Sequence, residues 1–177
     1  MKRSEGALLS LTYGIKRISD PLRAAIDNVK KVSVLAGENK TLSGKFRARA
    51  RDLPSLVTEI GLVPALSFCY GKAGKDTYEK MEESFSKNIK IDGNEEESYA
   101  LYLLLVLDYI RKLGLINQTE GATDVVDALN QLSGGERLSE SALPKVELAS
   151  KLIRPYLLEI KRLSEALFEP VSSESGE

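Results

Sequence analysis

A nearly uninterrupted apolar run at residues 100–110 constrains the fold of this 177-residue chain more than any other feature. Asp108 is the only charged residue in the run, so a helix made from it is apolar on every side. Other elements have to cover such a helix all round. Three glutamates at 95–97 suit the positive end of a helix dipole, and Gly114 favours helix termination. The sequence therefore predicts a central, buried helix over residues 95–113.

Apolar residues elsewhere recur at spacings of three and four, which is the period of an α-helix. No stretch of useful length alternates apolar and polar residues as a half-buried strand does. The sequence predicts an all-α fold, a compact bundle of about six or seven helices in a single domain over residues 1–170, with a disordered acidic tail at 171–177. The other predicted helices span residues 8–32, 45–60, 63–70, 77–89, 123–132 and 143–168, with loops at 36–44, 71–76 and 91–94. Thr123 is a candidate helix cap, and Pro54 either bends its helix or marks a restart. The predicted inward faces include Ile60, Ile89, Leu148, Leu152 and Leu167.

The first predicted helix carries a heptad-like stripe from Leu8 to Val32. The pair Asp20-Pro21 interrupts the stripe, because Asp can cap a helix and Pro fits its first position, so the helix either restarts at Pro21 or kinks there. The stripe fits either a coiled coil with a partner or one helix within the chain's own bundle. Its short length and the internal proline favour the bundle.

Four cations, Lys45, Arg47, Arg49 and Arg51, occupy alternate positions at the start of an apolar stripe that runs from Phe46 to Ile60. On a helix they form two pairs, one on each flank of that stripe. Residues 1–60 hold twelve Lys and Arg against six Asp and Glu, whereas the rest of the chain is net negative. This asymmetry favours a cationic surface for a polyanion, although each cation could simply be solvated. The candidate RNA-binding residues are Lys16, Arg17, Lys45, Arg47, Arg49, Arg51, Lys72 and Lys75.

The residue inventory argues against an enzyme. The chain has no His and a single Cys, Cys69, so neither a Cys–His nucleophile nor a zinc site is available. The carboxylates at 95–97 point in different directions on a helix and are predicted to be solvated. Asp108 needs a partner, and Arg111 or Lys112 could supply it. We predict no catalytic residue, no metal and no cofactor.

Three further features of the sequence have ordinary structural interpretations. Residues 132–137, LSGGER, are similar to the signature motif of ABC-type ATPases, but the chain lacks a P-loop, so an interhelical loop is predicted. The longest apolar run is too short for the roughly 20 residues that span a bilayer, so we predict a cytoplasmic protein. Among the aromatic residues, Phe85, Tyr99, Tyr102, Tyr109 and Tyr156 are predicted to be core, and Tyr13 and Tyr70 are candidates for surface contacts.

Residues 53–72 read LPSLVTEIGLVPALSFCYGK. This stretch resembles the core of the small all-helical subunit of type III-B CRISPR (Cmr) effector complexes. That core has Leu-Pro, then Gly-Leu, then a small-apolar-Leu-x-Phe run ending in a Lys. The matching positions are packing positions, so Phe68→Ala is predicted to cost about 3–5 kcal/mol if the ring is buried. The positions that match the family core are Leu53, Pro54, Gly61, Leu62, Ala65, Leu66, Phe68 and Lys72.

The resemblance implies a non-catalytic subunit that stacks in a filament with copies of itself, beside other Cmr-type effector subunits. It implies contacts to the backbone of the guide RNA–target RNA duplex, most plausibly from Arg47 and Arg51, and no membrane or small-molecule substrate. Two alternatives stay open. The chain could be a protein-only scaffold that uses its N-terminal stripe, or an enzyme that uses Asp or Glu with a divalent cation.

Overall fold

Seven α-helices make up most of the chain that the structure describes. The structure is a computed structural model, which describes residues 20–117, 124–134 and 142–171, without the side chains of residues 142–145. No strand occurs within these ranges, and the predicted all-α bundle is confirmed. The helices are α1 (Pro21–Ala36), α2 (Lys40–Ile60), α3 (Leu62–Ala73), α4 (Lys75–Lys87), α5 (Glu95–Lys112), α6 (Val125–Ser133) and α7 (Ala142–Leu167).

Helix α5 lies at the centre of the bundle and packs against α2, α3, α4 and α7. All of its side chains from Tyr99 to Leu107 are buried, as the apolar run predicts. Asp108 is at the rim, where its carboxylate lies 2.6 Å from the ammonium group of Lys112. The charge is therefore paired within one helical turn, and the predicted central helix is confirmed.

Helices α1 and α7 pack side by side, and their C-terminal ends border the same shallow pocket. The two helices therefore run in the same direction. The side-chain amide of Asn28 on α1 donates a hydrogen bond to the Tyr156 hydroxyl on α7 at 2.7 Å. That hydroxyl donates in turn to the Leu105 carbonyl oxygen on α5 at 3.1 Å. One buried tyrosine therefore joins three helices.

Helix α1 begins at the predicted point. The Asp20 carboxylate accepts hydrogen bonds from the backbone N–H groups of Leu22 and Arg23 at 3.0 and 3.2 Å, and Pro21 is the first helical residue. The predicted cap is confirmed. The part of the stripe from Leu8 to Ile18 lies outside the described residues, so the choice between a coiled coil and a bundle helix stays a prediction.

Helix α2 begins earlier than predicted because Asn39 caps it. Asn39 Oδ1 accepts from the backbone N–H groups of Thr41 and Leu42 at 3.0 and 3.1 Å. Its Nδ2 donates to the carbonyl oxygens of Ile91 and Asp92 at 3.1 and 2.7 Å. The predicted loop at 36–44 is therefore wrong beyond Asn39, which ties the start of α2 to the loop before α5.

We expect Asn39→Ala to lower the free energy of unfolding by about 2–4 kcal/mol. The lost cap accounts for about 1 kcal/mol and each lost hydrogen bond to the loop for about 0.5–1.5 kcal/mol. Asp124→Ala is the matched control, because Asp124 caps α6 at 2.9 and 3.1 Å and forms no hydrogen bond to a distant loop within the described ranges. Urea unfolding followed by circular dichroism measures both variants. Equal losses would contradict a tethering role for Asn39.

The junction of α3 and α4 differs from the predicted turn at residues 71–76. Helix α3 continues to Ala73, and α4 starts at Lys75. Gly74 alone separates them, with φ of 74° and ψ of 157°, a conformation that side chains with a Cβ rarely adopt. One glycine therefore joins the two helices where a loop of six residues was predicted.

Pro54 and Pro155 lie inside helices that continue through them. Proline lacks a backbone N–H, so each removes one hydrogen bond from its helix. The alternative of a helix restart at Pro54 is excluded, because α2 is continuous to Ile60. The helix ends before Gly61, as predicted.

Five apolar residues predicted to face inward are exposed. The buried stripe of α7 instead uses Ala149, Ile153, Tyr156 and Ile160, which shifts its predicted start by one residue. Helix α4 ends before Asn88, whose left-handed backbone redirects the chain. Ile89, the last residue predicted to face inward on this helix, therefore lies beyond its end. The exposed residues are Ile60, Ile89, Leu148, Leu152 and Leu167.

The segment after α7 crosses α2 at Gly44. A Cβ at this position would lie 2.8 Å from Val171 Cγ2 and 3.1 Å from the Glu169 carbonyl oxygen, so only glycine allows the approach. Lys40 and Glu169 form an exposed ion pair of 3.0 Å beside the crossing. Residues 172–177 of the predicted tail lie outside the described residues.

Helix α6 is capped by Asp124, and the predicted cap Thr123 lies outside the described residues. Gly134 follows the helix with φ of 92°. The end of α6 thus contains the first residues of the LSGGER motif, whose positions 135–137 are also outside the described ranges. The predicted loop is tested only as far as Gly134, where the helix does end.

Candidate nucleic-acid interface

The cations of α2 leave the helix on two opposite flanks. Arg49 reaches α5, where its guanidinium contacts Tyr99. Arg51 shares a helix face with Ser55 and Thr58, which border a groove against α7. Helical spacing puts Lys45 beside Arg49 and Arg47 beside Arg51. The two predicted pairs therefore belong to different sides of the bundle.

Arg49 already has partners within the protein. Its Nη1 donates to the Tyr99 hydroxyl at 2.8 Å, and its guanidinium carbon lies 4.3 Å from the Tyr99 ring centroid. Its Nη2 lies 3.4 Å from a Glu95 carboxylate oxygen, and its side chain is only 21% exposed. These contacts join α2 to α5. Contact between Arg49 and RNA stays a prediction. A phosphate bound there would have to share the guanidinium with Tyr99 and Glu95.

Arg51 is more accessible. It forms an ion pair of 2.7 Å with its neighbour Asp52, and about half of its side chain is exposed. The hydrogen bond to Asp52 raises the pKa of Arg51, so the guanidinium stays charged at any working pH. Arg47 and Lys45 are half-buried. Exposed pairs between surface charges contribute little to stability, so Arg51 is free to exchange Asp52 for a phosphate.

Lys72 and Lys75 lie at the junction of α3 and α4, whereas the other described candidate cations belong to α2. The Lys72 ammonium is exposed, 5.8 Å from the Phe68 ring centroid. Lys75 pairs with Glu79 at 3.7 Å, one turn later on α4. Lys16 and Arg17 lie outside the described residues. The role of all four in RNA binding stays a prediction.

The structure adds a cationic groove that sequence reasoning missed. A groove of about 630 Å³ separates the second half of α2 from α7, and Lys151, Arg154 and Lys161 of α7 line it. Glu59 and Glu147 line it as well, so its three cations exceed its two carboxylates by one. Lys151 pairs with Glu147 at 2.6 Å. Arg154 and Lys161 form no ion pair with any residue inside the described ranges. The net negative charge of the second half of the chain hid these cations. Their spacing of three and seven, typical of one helix face, was the signal available.

Phe68 is 41% exposed, so its predicted core position is wrong. Leu62, Leu66 and Cys69 occupy the inward face of α3, and the Phe68 ring instead packs edge-on against Tyr99 at 5.8 Å. With much of the ring in solvent, we expect Phe68→Ala to cost about 1 kcal/mol rather than 3–5.

The other aromatic predictions divide in the same way. All five residues assigned to the core are buried, and Tyr109 and Tyr156 stack with centroids 4.1 Å apart. Tyr70 is partly buried and packs edge-on against Tyr78 at 6.1 Å. Tyr13 lies outside the described residues. The described tyrosines therefore mainly build the core.

Glu97 departs from the predicted solvated carboxylates of α5. It is 3% exposed, and its Oε2 accepts from the backbone N–H groups of Gly93 and Asn94 at 2.6 and 3.0 Å. Together with the Asn94 side chain it forms a capping box, and Lys80 lies 3.5 Å from its other oxygen. Glu97 is therefore a helix cap. Within the described ranges, no three His, Cys, Asp or Glu side chains come together as a metal site.

The Cys69 thiol gives a pH-dependent prediction. Burial raises the pKa of Cys69 to about 12, against an ordinary value of 9.0, although the charge of Arg49 opposes the shift. Between these pH values the unfolded chain loses a proton that the folded chain keeps, so stability falls as pH rises. We expect the wild type to lose about 2 kcal/mol more than Cys69→Ser between pH 8.5 and 10.5.

Urea unfolding of both proteins at the two pH values measures this difference. The buried tyrosines titrate in both proteins, so the comparison isolates the thiol. Identical pH dependence would show that the thiolate is solvated in the folded chain.

A sequence profile of the CRISPR-associated protein family Cas_Cmr5 matches residues 21–137, which is more than half of the chain. The chain belongs to the Cas_Cmr5 family. The match spans α1 to α6 and includes the stretch at 53–72 that carries the resemblance. The predicted relationship to the small subunit of Cmr complexes is confirmed.

Individual Cmr5 relatives agree with the profile. The CRISPR system CMR subunit Cmr5 of Saccharolobus solfataricus is 29% identical over 143 residues, covering 74% of this chain and 83% of that protein. A chain of the type III-B Cmr-beta complex bound to non-cognate target RNA is 28% identical with a TM-score of 0.68, covering 86% of this chain and 98% of that one. A chain of the same kind of complex bound to cognate target RNA and AMPPnP is 28% identical with a TM-score of 0.67, covering 85% and 97%.

The similarity to the two solved chains extends over nearly their whole length, so the helical bundle is common to them. Across the described ranges, none of the seven helices combines the length and the apolar composition of a bilayer-spanning helix.

Proposed function

We propose that this chain is a non-catalytic subunit of a type III-B effector complex and contacts the phosphate backbone of target-paired RNA. Two solved complexes that contain similar chains hold target RNA, which supports RNA as a neighbour of this subunit. Base pairing with the guide would supply sequence specificity, while the protein supplies positive charge.

The observation that carries the proposal is the line of cations along the side where α2 meets α7. Arg154 and Lys161 line the groove between α2 and α7, and Ser55 of α2 lines it too. Arg47 and Arg51 precede Ser55 at spacings of four on the same face of α2, so they extend this line of cations beyond the groove. A row of cations along a groove binds a phosphate chain through release of its counterions, without preference for sequence. Proteins of the scaffold type need no such row.

Copies of the chain would stack along the complex and contact the other effector subunits. Exposed leucines on α7 support protein contacts of this kind, because Leu148 and Leu152 are 49% and 37% exposed. The same leucines favour the protein-only scaffold as the second candidate. Native mass spectrometry of the assembled complex counts the copies, and a single copy would contradict stacking.

Crosslinking separates the two candidates. The complex is assembled with this chain and with target RNA that carries 4-thiouridine at successive positions, then irradiated. We expect crosslinked peptides from α2 and from residues 146–161 of α7. Crosslinks confined to other subunits would contradict RNA contact and support the scaffold.

The proposal also assigns no catalytic residue to the chain. Sequence reasoning singled out four carboxylates of α5, the cluster at 95–97 and Asp108. Three of them have structural partners: Glu95 pairs with Arg49, Glu97 caps the helix and Asp108 pairs with Lys112. We expect RNA cleavage by the assembled complex to be unchanged by Asp108→Asn. A complete loss of cleavage without loss of assembly would contradict the proposal.

A further inference from the structure

We propose that Phe68 and the cavity beside it bind one unpaired RNA base, a site that rests on the proposed RNA contact and adds stacking to it. Phe68 belongs to the stretch that resembles the family core, but it does not fill the core. A large exposed aromatic ring at this position needs another explanation. The surrounding residues supply it.

The Phe68 ring is exposed but held in place. It packs edge-on against Tyr99 with an interplanar angle of 82°, and Tyr99 is only 6% exposed. Arg49 covers a face of Tyr99 at 4.3 Å and donates a hydrogen bond to its hydroxyl. Phe68 is therefore an exposed ring on a buried support, which is the kind of platform on which nucleobases stack.

A cavity of about 270 Å³ lies beside this ring, between α2, α3 and α5. Sites for drug-sized ligands enclose about 300–1,000 Å³, so this one suits a single planar ring system. Leu53 and Leu56 line it as well. A base entering the cavity would have an aromatic ring on one side and aliphatic carbon nearby.

The charges around the cavity fit a base rather than a phosphate. Arg49 is paired with Glu95, and Asp52 is paired with Arg51, so the lining has little excess charge. Glu59 also lines the cavity. Carboxylates of this kind accept hydrogen bonds from the amino groups of bases.

Lys72 connects this site to the RNA backbone. Its exposed ammonium lies 5.8 Å from the Phe68 ring centroid, one helical turn further along α3. A base on the ring would bring its own phosphate close to this cation. The predicted role of Lys72 as a backbone contact and the stacking role of Phe68 therefore support each other.

The base site is favoured over a side chain from a neighbouring subunit. The buried centres of protein interfaces are depleted of charged residues, whereas three of the eight residues that line this cavity are charged. A base has flat apolar faces and polar edges, which match an aromatic ring bordered by carboxylates and a guanidinium.

The absence of Trp from the chain makes a direct test possible, because Phe68→Trp adds a single indole to the full-length protein. The variant is titrated at low salt with single-stranded RNA of mixed sequence and with an abasic ribose-phosphate chain of equal length. We expect the RNA to quench the indole fluorescence and the abasic chain to leave it unchanged. We also expect the wild type to bind RNA about 5- to 100-fold more tightly than the abasic chain.

Two variants control the test. Val34→Trp places an indole on α1 at a residue that is 60% exposed, and we expect RNA to leave its fluorescence unchanged. Phe68→Leu keeps an apolar side chain without a ring, and we expect it to bind RNA and the abasic chain equally. Thermal unfolding shows that each variant is folded.

Three outcomes would overturn the base site. Equal affinity of the wild type for RNA and the abasic chain would show backbone binding alone, which leaves the proposed function intact. No binding of either chain by the isolated protein would exclude the site, since the proposed function is tested on the assembled complex. Loss of subunit assembly in Phe68→Leu with unchanged RNA binding would assign the ring to a protein interface.

Discussion

Tyr156→Ala is expected to lower the free energy of unfolding by at least about 4 kcal/mol. The ring is fully buried and stacks on Tyr109, and removing a buried aromatic ring costs about 3–5 kcal/mol. The variant also leaves the Asn28 amide buried without the hydroxyl that accepts from it, which adds about 1–3 kcal/mol. Domains of this size are stable by only about 5–15 kcal/mol, so much of the chain would be unfolded at 37 °C.

Urea unfolding by circular dichroism measures this loss, and Leu148→Ala is the control on the same helix. Leu148 is 49% exposed, so its truncation is expected to cost less than about 1 kcal/mol. A loss below 2 kcal/mol for Tyr156→Ala would mean that the α1–α5–α7 contact does not hold the bundle together.

Tyr156→Phe separates the hydroxyl from the ring. It should cost about 1–3 kcal/mol, because the Asn28 amide and the Leu105 carbonyl lose a buried partner. Combining it with Asn28→Leu should cost less than the sum of the two single changes, since the pair acts as one unit. Additive losses would contradict a shared network.

Arg47→Glu combined with Arg51→Glu is expected to weaken RNA binding by the assembled complex at least tenfold at physiological salt. Each phosphate contact contributes about 0.7–0.9 to the slope of log affinity against log salt, so the loss of two contacts should lower the slope by about 1.4–1.8. Reversing the charge adds repulsion to the loss of attraction. Affinity should fall to a similar extent for RNAs of different sequence, because base pairing is untouched.

Measured binding across a salt series tests this prediction, with Lys87→Glu and Lys112→Glu as the matched control. Both lysines are exposed and paired along their own helices, with Glu83 and Asp108, so the control makes the same charge change away from α2. We expect the control to keep the wild-type slope. Thermal unfolding should be little changed in both, and a folding loss confined to the arginine variant would show that these arginines are structural.

The elements that were predicted correctly share one property: their environment follows from a short stretch of chain. Residues 100–110 are apolar on every side, so only a central position is compatible with them. Asp20-Pro21 contains a whole helix start, since the cap and the groups it satisfies are within three residues. The family relationship was visible for the same reason, in about twenty consecutive residues.

The errors arose where the partner of a residue is distant in the sequence. Asn39 extends α2 because of the carbonyl oxygens of Ile91 and Asp92, which are more than fifty residues away. Phe68 was assigned to the core by its apolar neighbours, but the neighbours fill the inward face of α3 and leave the ring outside. Nothing local distinguishes these outcomes.

The candidate site shows the same division. The alternating cations from Lys45 to Arg51 could be seen in the sequence, as could their two flanks, because a helix has a known period. Their surroundings could not be seen. Arg49 lies against Tyr99, fifty positions later, whereas Arg154 and Lys161 border the groove beside α2, about a hundred positions from it.

The sequence by itself determined an all-α chain with a central helix at residues 95–112, an N-terminal half rich in cations, and membership of the Cas_Cmr5 family. Each of these depends on composition and on periods of a few residues. Only the tertiary structure decided which cations share a groove, which arginine is held by a tyrosine, and which aromatic ring remains in solvent. These depend on the packing of distant helices, which sets the exposure and the charge around each side chain.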